Sequence, residues 1–286
     1  MLRDARSRPV LDNEEDSIPP QDGYTLGLTI DSVIQYIVEE EIEQMAVGSN
    51  ASSAFAVVME PFTGKILALA NYPAYDLNEF AGAPGTCISN SAISNVFEPG
   101  SVFKIVTASA ALNEGLFQLS DKIYCEKGLY RVGGRMLHDY HPYGELSFKK
   151  VIAKSSNIGT VKIAYRVGER VLYDYIKRFG FGEKTGVDLP GEVSGICRSP
   201  AVWSRSDMTT IPIGQGIAVT AIQLACAVGV IANGGYLMRP YVVDHIATWD
   251  GEIFQRHEPF VRRKVLDSSA CAKMREVLRD VVVNGT

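Results

Sequence analysis

The chain has 286 residues, is 46% hydrophobic and 21% charged, and carries a formal net charge of -5. This is ordinary globular material, long enough for one large core or two smaller ones. Mild acidity with no basic block argues against a nucleic-acid surface, and five scattered cysteines without a CxxC pair support neither a disulfide framework nor a metal.

Residues 1–23 are polar and read as a linker or the end of an upstream domain, with 24–286 as one domain. The start, MLRDARSRPV, lacks the apolar run of a secretion leader. Thr25 to Ile30 reads as a short strand. Asp31 can cap a helix that places Ile34, Ile37, Val38, Ile42 and Met45 on one face, and Gly48-Ser49-Asn50 ends it. SAFAVVME and GKILALAN flank the turn Pro61-Phe62-Thr63-Gly64, which predicts an antiparallel hairpin. A loop rich in Pro, Gly and Asn runs from Tyr72 to Gly100.

The next segment, PGSVFKIVTASAAL, predicts a helix from near Ser101 to Gly115 that is apolar on nearly every side, the pattern of a core helix. Asp121 to Leu146 is Gly- and Tyr-rich with short strand signals. SFKKVIAKSSNIGTVKIAYRVG predicts two helices broken at Ser155 to Gly159, and YDYIKRFGFG a further short one. Ile217 to Ala232 is apolar but interrupted by Thr220 and Gln223, and is shorter than the roughly 18 residues of a membrane span, so it reads as a buried helix. Strands follow around an Asp250-Gly251 turn, and Ser268 to Val283 is a last amphipathic helix. Helices and antiparallel strands interleave, so the class is α+β.

Lys104 is the only basic residue of the predicted core helix and lies one turn after Ser101, on the same face. Burial makes an ammonium costly, so a desolvated lysine tends to lose its proton. A neutral amine beside a hydroxyl at a helix N-terminus is an activated nucleophile with its base. A second polar island, Ser155-Ser156-Asn157, can relay protons and hold a substrate amide, although Ser and Asn also make plain helix caps.

SxxK followed by SxN resembles the penicillin-recognising serine transferases. FEPGSVFKIVTASAAL, KSSNIGTVKIA, FGFGEKTGVDLPGE, PIGQGIAVTAIQLACAVGVIANGG and LTIDSVIQ resemble the transpeptidase domain of class B penicillin-binding proteins, nearest the division-type and sporulation branches. The resemblance runs from about Gly23 to the end. It implies the penicillin-binding-protein/serine β-lactamase-like fold, an antiparallel sheet with helices on both faces. It also implies a D,D-transpeptidase that cross-links peptidoglycan stem peptides ending in D-Ala-D-Ala, is acylated by β-lactams and needs no cofactor. By carry-over Ser101 is the acylated nucleophile and Lys104 its base. Ser155 passes a proton to or from the leaving group, and Asn157 holds Lys104 and the substrate backbone. The full-length parent is expected on the extracytoplasmic face of the bacterial inner membrane, with a glycosyltransferase and division proteins as partners. A β-lactam sensor, a serine β-lactamase-like domain and a non-catalytic division scaffold are the alternatives.

The family's third motif is a Lys-Thr/Ser-Gly strand beside the nucleophile. Lys184-Thr185-Gly186 spells it but sits between turn residues, FGFG and DLPG, and is rejected as that strand. The catalytic strand would follow the last helix, where this sequence stops at Asn284-Gly285-Thr286. The resemblance places one oxyanion-hole N–H on that strand, so the reading is a fold incomplete at its C-terminus and a chain that is weak or inactive by itself, since losing one such donor costs about 3 kcal/mol. His138-Asp139-Tyr140-His141 reads as surface groups, and Gly214-Gln215-Gly216 as packing with possible substrate contact. Asp188 and Glu192 read as turn residues, and Glu39-Glu40-Glu41 as a solvated face.

Overall fold

The computed structural model describes Arg6, residues 22–82 and residues 89–285. Most of the expected linker, Cys87 and Thr286 lie outside these residues. In chain order the strands are β1 (Thr25–Leu28), β2 (Ala54–Met59), β3 (Ile66–Tyr72), β4 (Lys122–Tyr124), β5 (Leu129–Val132), β6 (Arg135–His138), β7 (Glu145–Ser147), β8 (Tyr236–Met238), β9 (Val243–Ala247), β10 (Ile253–Arg256) and β11 (Val261–Lys264). The helices are α1 (Ser32–Ser49), α2 (Ser91–Ser94), α3 (Lys104–Asn113), α4 (Phe148–Ala153), α5 (Asn157–Val167), α6 (Glu169–Arg178), α7 (Asp207–Thr210), α8 (Ala221–Ala232) and α9 (Ser268–Asn284).

Two units form. The smaller is the antiparallel sheet β1-β9-β10, in which Gly251 takes φ 90° in the β9–β10 turn. The larger unit holds everything else and carries the main core. Within it β2 and β3 pair antiparallel as predicted, and their side chains alternate. Ala54, Ala56 and Ala70 pack against Ile42 and Ala46 of α1, while Val57 and Met59 turn to the main core, where Met59 meets Cys226 of α8. Helices thus lie on both faces of the hairpin. Small alanines on one side let α1 approach closely.

Asp31 caps α1 by accepting from Val33 N and Ile34 N, and Asn50 ends it in the left-handed region. The buried stripe differs from the predicted one. It runs from half-buried Ile34 and Val38 to buried Ile42 and Ala46, whereas Ile37 and Met45 are exposed. A strict i,i+4 stripe is enough to cover a two-stranded hairpin. The apolar run at 217–232 also divides. Ala218 and Val219 are extended and bridge Ile196 and Phe97, and the helix begins only at Ala221. Thr220 and Gln223 form a capping box, so the two polar residues that interrupt the run mark the helix start. The Gly- and Tyr-rich segment forms β4–β7 with the β5–β6 hairpin nested inside, turning on Gly133-Gly134 at φ 61° and 81°. β11, paired with β8, had no signal singled out in the sequence.

Candidate active site

The site is assembled where three backbone segments meet. Gly100, at φ 57°, opens a 3-10 turn over Gly100–Phe103 that runs straight into α3. Phe103 is fully buried against Phe181, with ring centroids 5.2 Å apart, so the turn is anchored below while Ser101 stays exposed above. Gly214-Gln215-Gly216 backs the turn. Gly100 N donates to Gly214 O at 3.0 Å, and Gly216 N donates to Glu98 Oε1 at 2.7 Å. A Cβ on Gly214 would lie 2.1 Å from Gly100 O, so only glycine permits this approach.

α3 is buried from Lys104 to Leu112, and Lys104 itself is 2% exposed. Its amine donates to Ser155 O at 2.6 Å, Ser155 Oγ at 2.9 Å and Asn157 Oδ1 at 2.8 Å. Those acceptors use all three ammonium hydrogens. Ser155 Oγ in turn donates to Ser101 Oγ at 3.1 Å. Burial pulls the Lys104 pKa from 10.5 down to about 8, and the negative charge of Asp139 opposes the fall. The four residues picked from the sequence are therefore brought together. The link from Lys104 to Ser101 runs through Ser155 Oγ, however, where the sequence suggested a direct i,i+3 contact.

The Ser155-Ser156-Asn157 turn is held in an unusual shape. Ser155 adopts φ 52°, a conformation that costs a non-glycine residue about 2 kcal/mol. α4 ends at Ala153 and α5 begins at Asn157, so the break is tighter than the predicted Ser155 to Gly159. Ser156 caps α5 by accepting from Gly159 N at 2.9 Å. A Cβ on Gly159 would sit 2.6 Å from Val151 Cγ1, which explains a glycine inside a helix at the point where α4 and α5 touch.

Asp139 is the site residue that sequence reasoning passed over. Its Oδ2 accepts from Ser156 Oγ at 2.6 Å and its Oδ1 from Ile158 N at 3.0 Å. The neighbouring His138 O accepts from Asn157 Nδ2 at 2.9 Å. No periodicity or spacing connects residue 139 with 156 and 158. The only signal was a carboxylate within the His138-Asp139-Tyr140-His141 run, read there as surface.

Ser101 opens on two clefts. One, of about 460 Å³, is lined with Tyr140, Lys154, Ser155 and Asn157 and is polar. The other, of about 340 Å³, is apolar and is lined by Val102, Ile105, Ile152, Val228, Leu278 and Val281. A hydroxyl, a relay hydroxyl and a dehydrated amine in series can move a proton off the first oxygen as that oxygen attacks a carbonyl.

Lys184-Thr185-Gly186 lies in irregular backbone, not in a strand. Glu192, itself buried, accepts from Thr185 N at 2.6 Å, from Thr185 Oγ1 and from Gly186 N at 3.1 Å. The tripeptide is a loop cross-linked by a carboxylate. Glu192 is thus more than the turn residue read from the sequence. Asp188 likewise accepts from Val242 N at 2.8 Å.

Residues 54–286 match the family model described as the penicillin binding protein transpeptidase domain. The chain is 33% identical over 287 residues to stage V sporulation protein D of Bacillus subtilis, covering 99% of this chain and 44% of that protein. It is 34% identical over 230 residues to peptidoglycan D,D-transpeptidase FtsI of Escherichia coli, covering 80% of this chain and 39% of that one. The chain thus spans under half the length of these relatives. Its fold superposes on penicillin-binding protein 3 of Mycobacterium tuberculosis in complex with aztreonam with a TM-score of 0.85 and 35% identity, over 92% of this chain and 59% of that one.

Proposed function

The chain belongs to the penicillin-binding protein transpeptidase family, and from that premise we propose that it performs the acyl transfer of a peptidoglycan D,D-transpeptidase, with Ser101 as nucleophile. The observation that carries the reading is the hydrogen-bonded series from the buried Lys104 amine through Ser155 Oγ to Ser101 Oγ.

In the charged state both bonds point away from the amine. Once Lys104 releases its proton, its lone pair can accept from Ser155 Oγ, which then accepts from Ser101 Oγ, and both hydroxyl rotors reverse. With a pKa of about 8 the amine is neutral in roughly a tenth of molecules at about pH 7, enough to serve as a base. Ser101 Oγ then bonds to the carbonyl carbon of the D-Ala-D-Ala peptide bond. The C–N bond breaks, and the leaving nitrogen takes its proton back along the same series. A second stem peptide's amine attacks the ester and releases Ser101. Asn157 keeps Lys104 in place through Oδ1 and borders the polar cleft, where the peptide backbone would lie.

A β-lactam presents the same carbonyl in a ring, so its amine cannot diffuse away and the ester persists. The named relatives support peptidoglycan as substrate. We propose with it a place in cell-wall synthesis on the extracytoplasmic face of the inner membrane, with a glycosyltransferase and division or sporulation proteins as partners; the relatives' names, a sporulation protein and a peptidoglycan D,D-transpeptidase, support the cell-wall part of this reading. Among the described residues no helix is long and apolar enough to cross a membrane.

Incubation with a fluorescent penicillin tests the reading. Slow covalent labelling that vanishes in Ser101→Ala is expected, whereas labelling that survives the substitution refutes it. Repeated turnover of nitrocefin would instead identify a β-lactamase.

A further inference from the structure

The His138-Asp139 segment, at the exit of β6, is absorbed by neither the core nor the reaction as derived above. Its carboxylate nevertheless touches the site from behind. One oxygen takes the Ser156 hydroxyl and the other takes the Ile158 N–H in the first turn of α5. The adjoining carbonyl takes the Asn157 amide. Ser156 is 1% exposed, so its hydroxyl has to be satisfied internally, and Asp139 and Gly159 N satisfy it. A carboxylate at a helix N-terminus is favoured both by free N–H groups and by the dipole. The residues on either side of Ser156, Ser155 and Asn157, hold Lys104, and Ser156 itself caps α5.

We propose that Asp139 is a positioning residue of the acyl-transfer site: by clamping Ser156 and Ile158 it fixes Ser155 Oγ and Asn157 Oδ1 on the Lys104 amine. The proposal rests on the transpeptidase reading for its kinetic consequence, and on geometry alone for the clamp. Strain at Ser155 is consistent with it. A left-handed serine persists only when its surroundings over-determine it, and Asp139 supplies two of the bonds that hold the following residues.

The carboxylate has a second effect, through charge. Burial drives Lys104 towards neutrality and Asp139 works against it. Other ionisable groups near α3 are engaged elsewhere or sit at the mouth. Glu114, just past α3, accepts from Tyr175 of α6. On α9 Asp280 is bound by Lys150 of α4 and by Asn284. On α5 Lys162 pairs with Glu126. Lys154 and Tyr140 line the polar cleft, and exposed His138 contributes its backbone. Burial thus sets the fall of the amine, and Asp139 is the charge that opposes it.

The test compares Asp139→Asn and Asp139→Ala with the unaltered chain by lysine-selective NMR titration, thermal unfolding and penicillin acylation. Asn keeps an acceptor for the Ile158 N–H but removes the charge. The Lys104 titration midpoint is expected to move to lower pH in both variants. Acylation is expected to slow roughly tenfold to a hundredfold in Asp139→Ala, the scale of a misplaced reacting group, and less in Asp139→Asn. A lower melting temperature with an unmoved Lys104 midpoint would mean a purely structural cap and would overturn the proposal. If the unaltered chain shows no label at Ser101, it is inactive by itself, and the clamp is still decided by whether the Lys104 midpoint of Asp139→Ala differs from that of Asp139→Asn, which loses the same charge but keeps an acceptor.

Discussion

Replacing Ser155 by glycine and, separately, by alanine divides the chemistry of this residue from its backbone. Both substitutions delete Oγ, and with it the bond from Lys104 at 2.9 Å and the bond to Ser101 at 3.1 Å. Losing a bond to a charged group costs about 2 kcal/mol. Lys104 keeps Ser155 O and Asn157 Oδ1, which holds the loss to that scale. At φ 52° alanine retains the strain that serine carries, whereas glycine does not. Relief is worth about 1 kcal/mol after glycine's greater unfolded-state freedom is set against it. Ser155→Ala should therefore be about 2 kcal/mol less stable than the unaltered chain, and Ser155→Gly about 1 kcal/mol less, by urea unfolding near pH 7. Acylation of Ser101 should be at least about a hundredfold slower in both, since the relay is gone. Coincident unfolding midpoints would refute the strain argument. Unimpaired labelling in either variant would refute the relay.

Further expectations concern the frame around the site. Gly214→Ala places a Cβ against Gly100 O at a backbone φ of 81°, and should lower the melting temperature steeply and abolish Ser101 labelling. Glu192→Ala frees Thr185 N, Thr185 Oγ1 and Gly186 N at once, costing about 3 kcal/mol; hydrogen exchange at residues 185 and 186 should accelerate, while the Lys104 titration stays unchanged. The acylation rate should rise with pH through about 8, as the amine loses its proton. Stability should carry the matching linkage. The folded pKa of Lys104 lies below the unfolded 10.5, so its penalty is full below about 8 and is lost as pH rises to 10.5. Unfolding free energy, compared with Lys104→Met, shows that slope in the unaltered chain alone.

What could be read in advance was whatever the chain encodes over short spans. Asp31 beside a periodic segment gave the cap of α1, and Pro61 to Gly64 between apolar runs gave the β2–β3 hairpin. A lone lysine in an otherwise apolar segment gave Lys104 and, one turn back, Ser101. The face of α1 was misjudged because periodicity tolerates several apolar stripes, and only the narrow partner surface of Ala54 and Ala70 selects Ile42 and Ala46. Thr220 and Gln223 looked like interruptions because a capping box and a polar blemish spell the same letters. Asp139 was illegible for a different reason. Its partners lie 17 and 19 residues away, and the pairing exists only after the β5–β6 hairpin has folded back over α5. The left-handed Ser155 has the same origin, since nothing in serine itself demands that backbone.

The account depends most directly on the state of one amine. Lysine-selective NMR of the folded chain, with the Lys104 signal assigned by its absence in Lys104→Met, measures that state without requiring any reaction. A titration midpoint near 8 is the predicted result. A midpoint at the ordinary 10.5 would mean that the amine is hydrated and charged, and the relay to Ser101 would have no base.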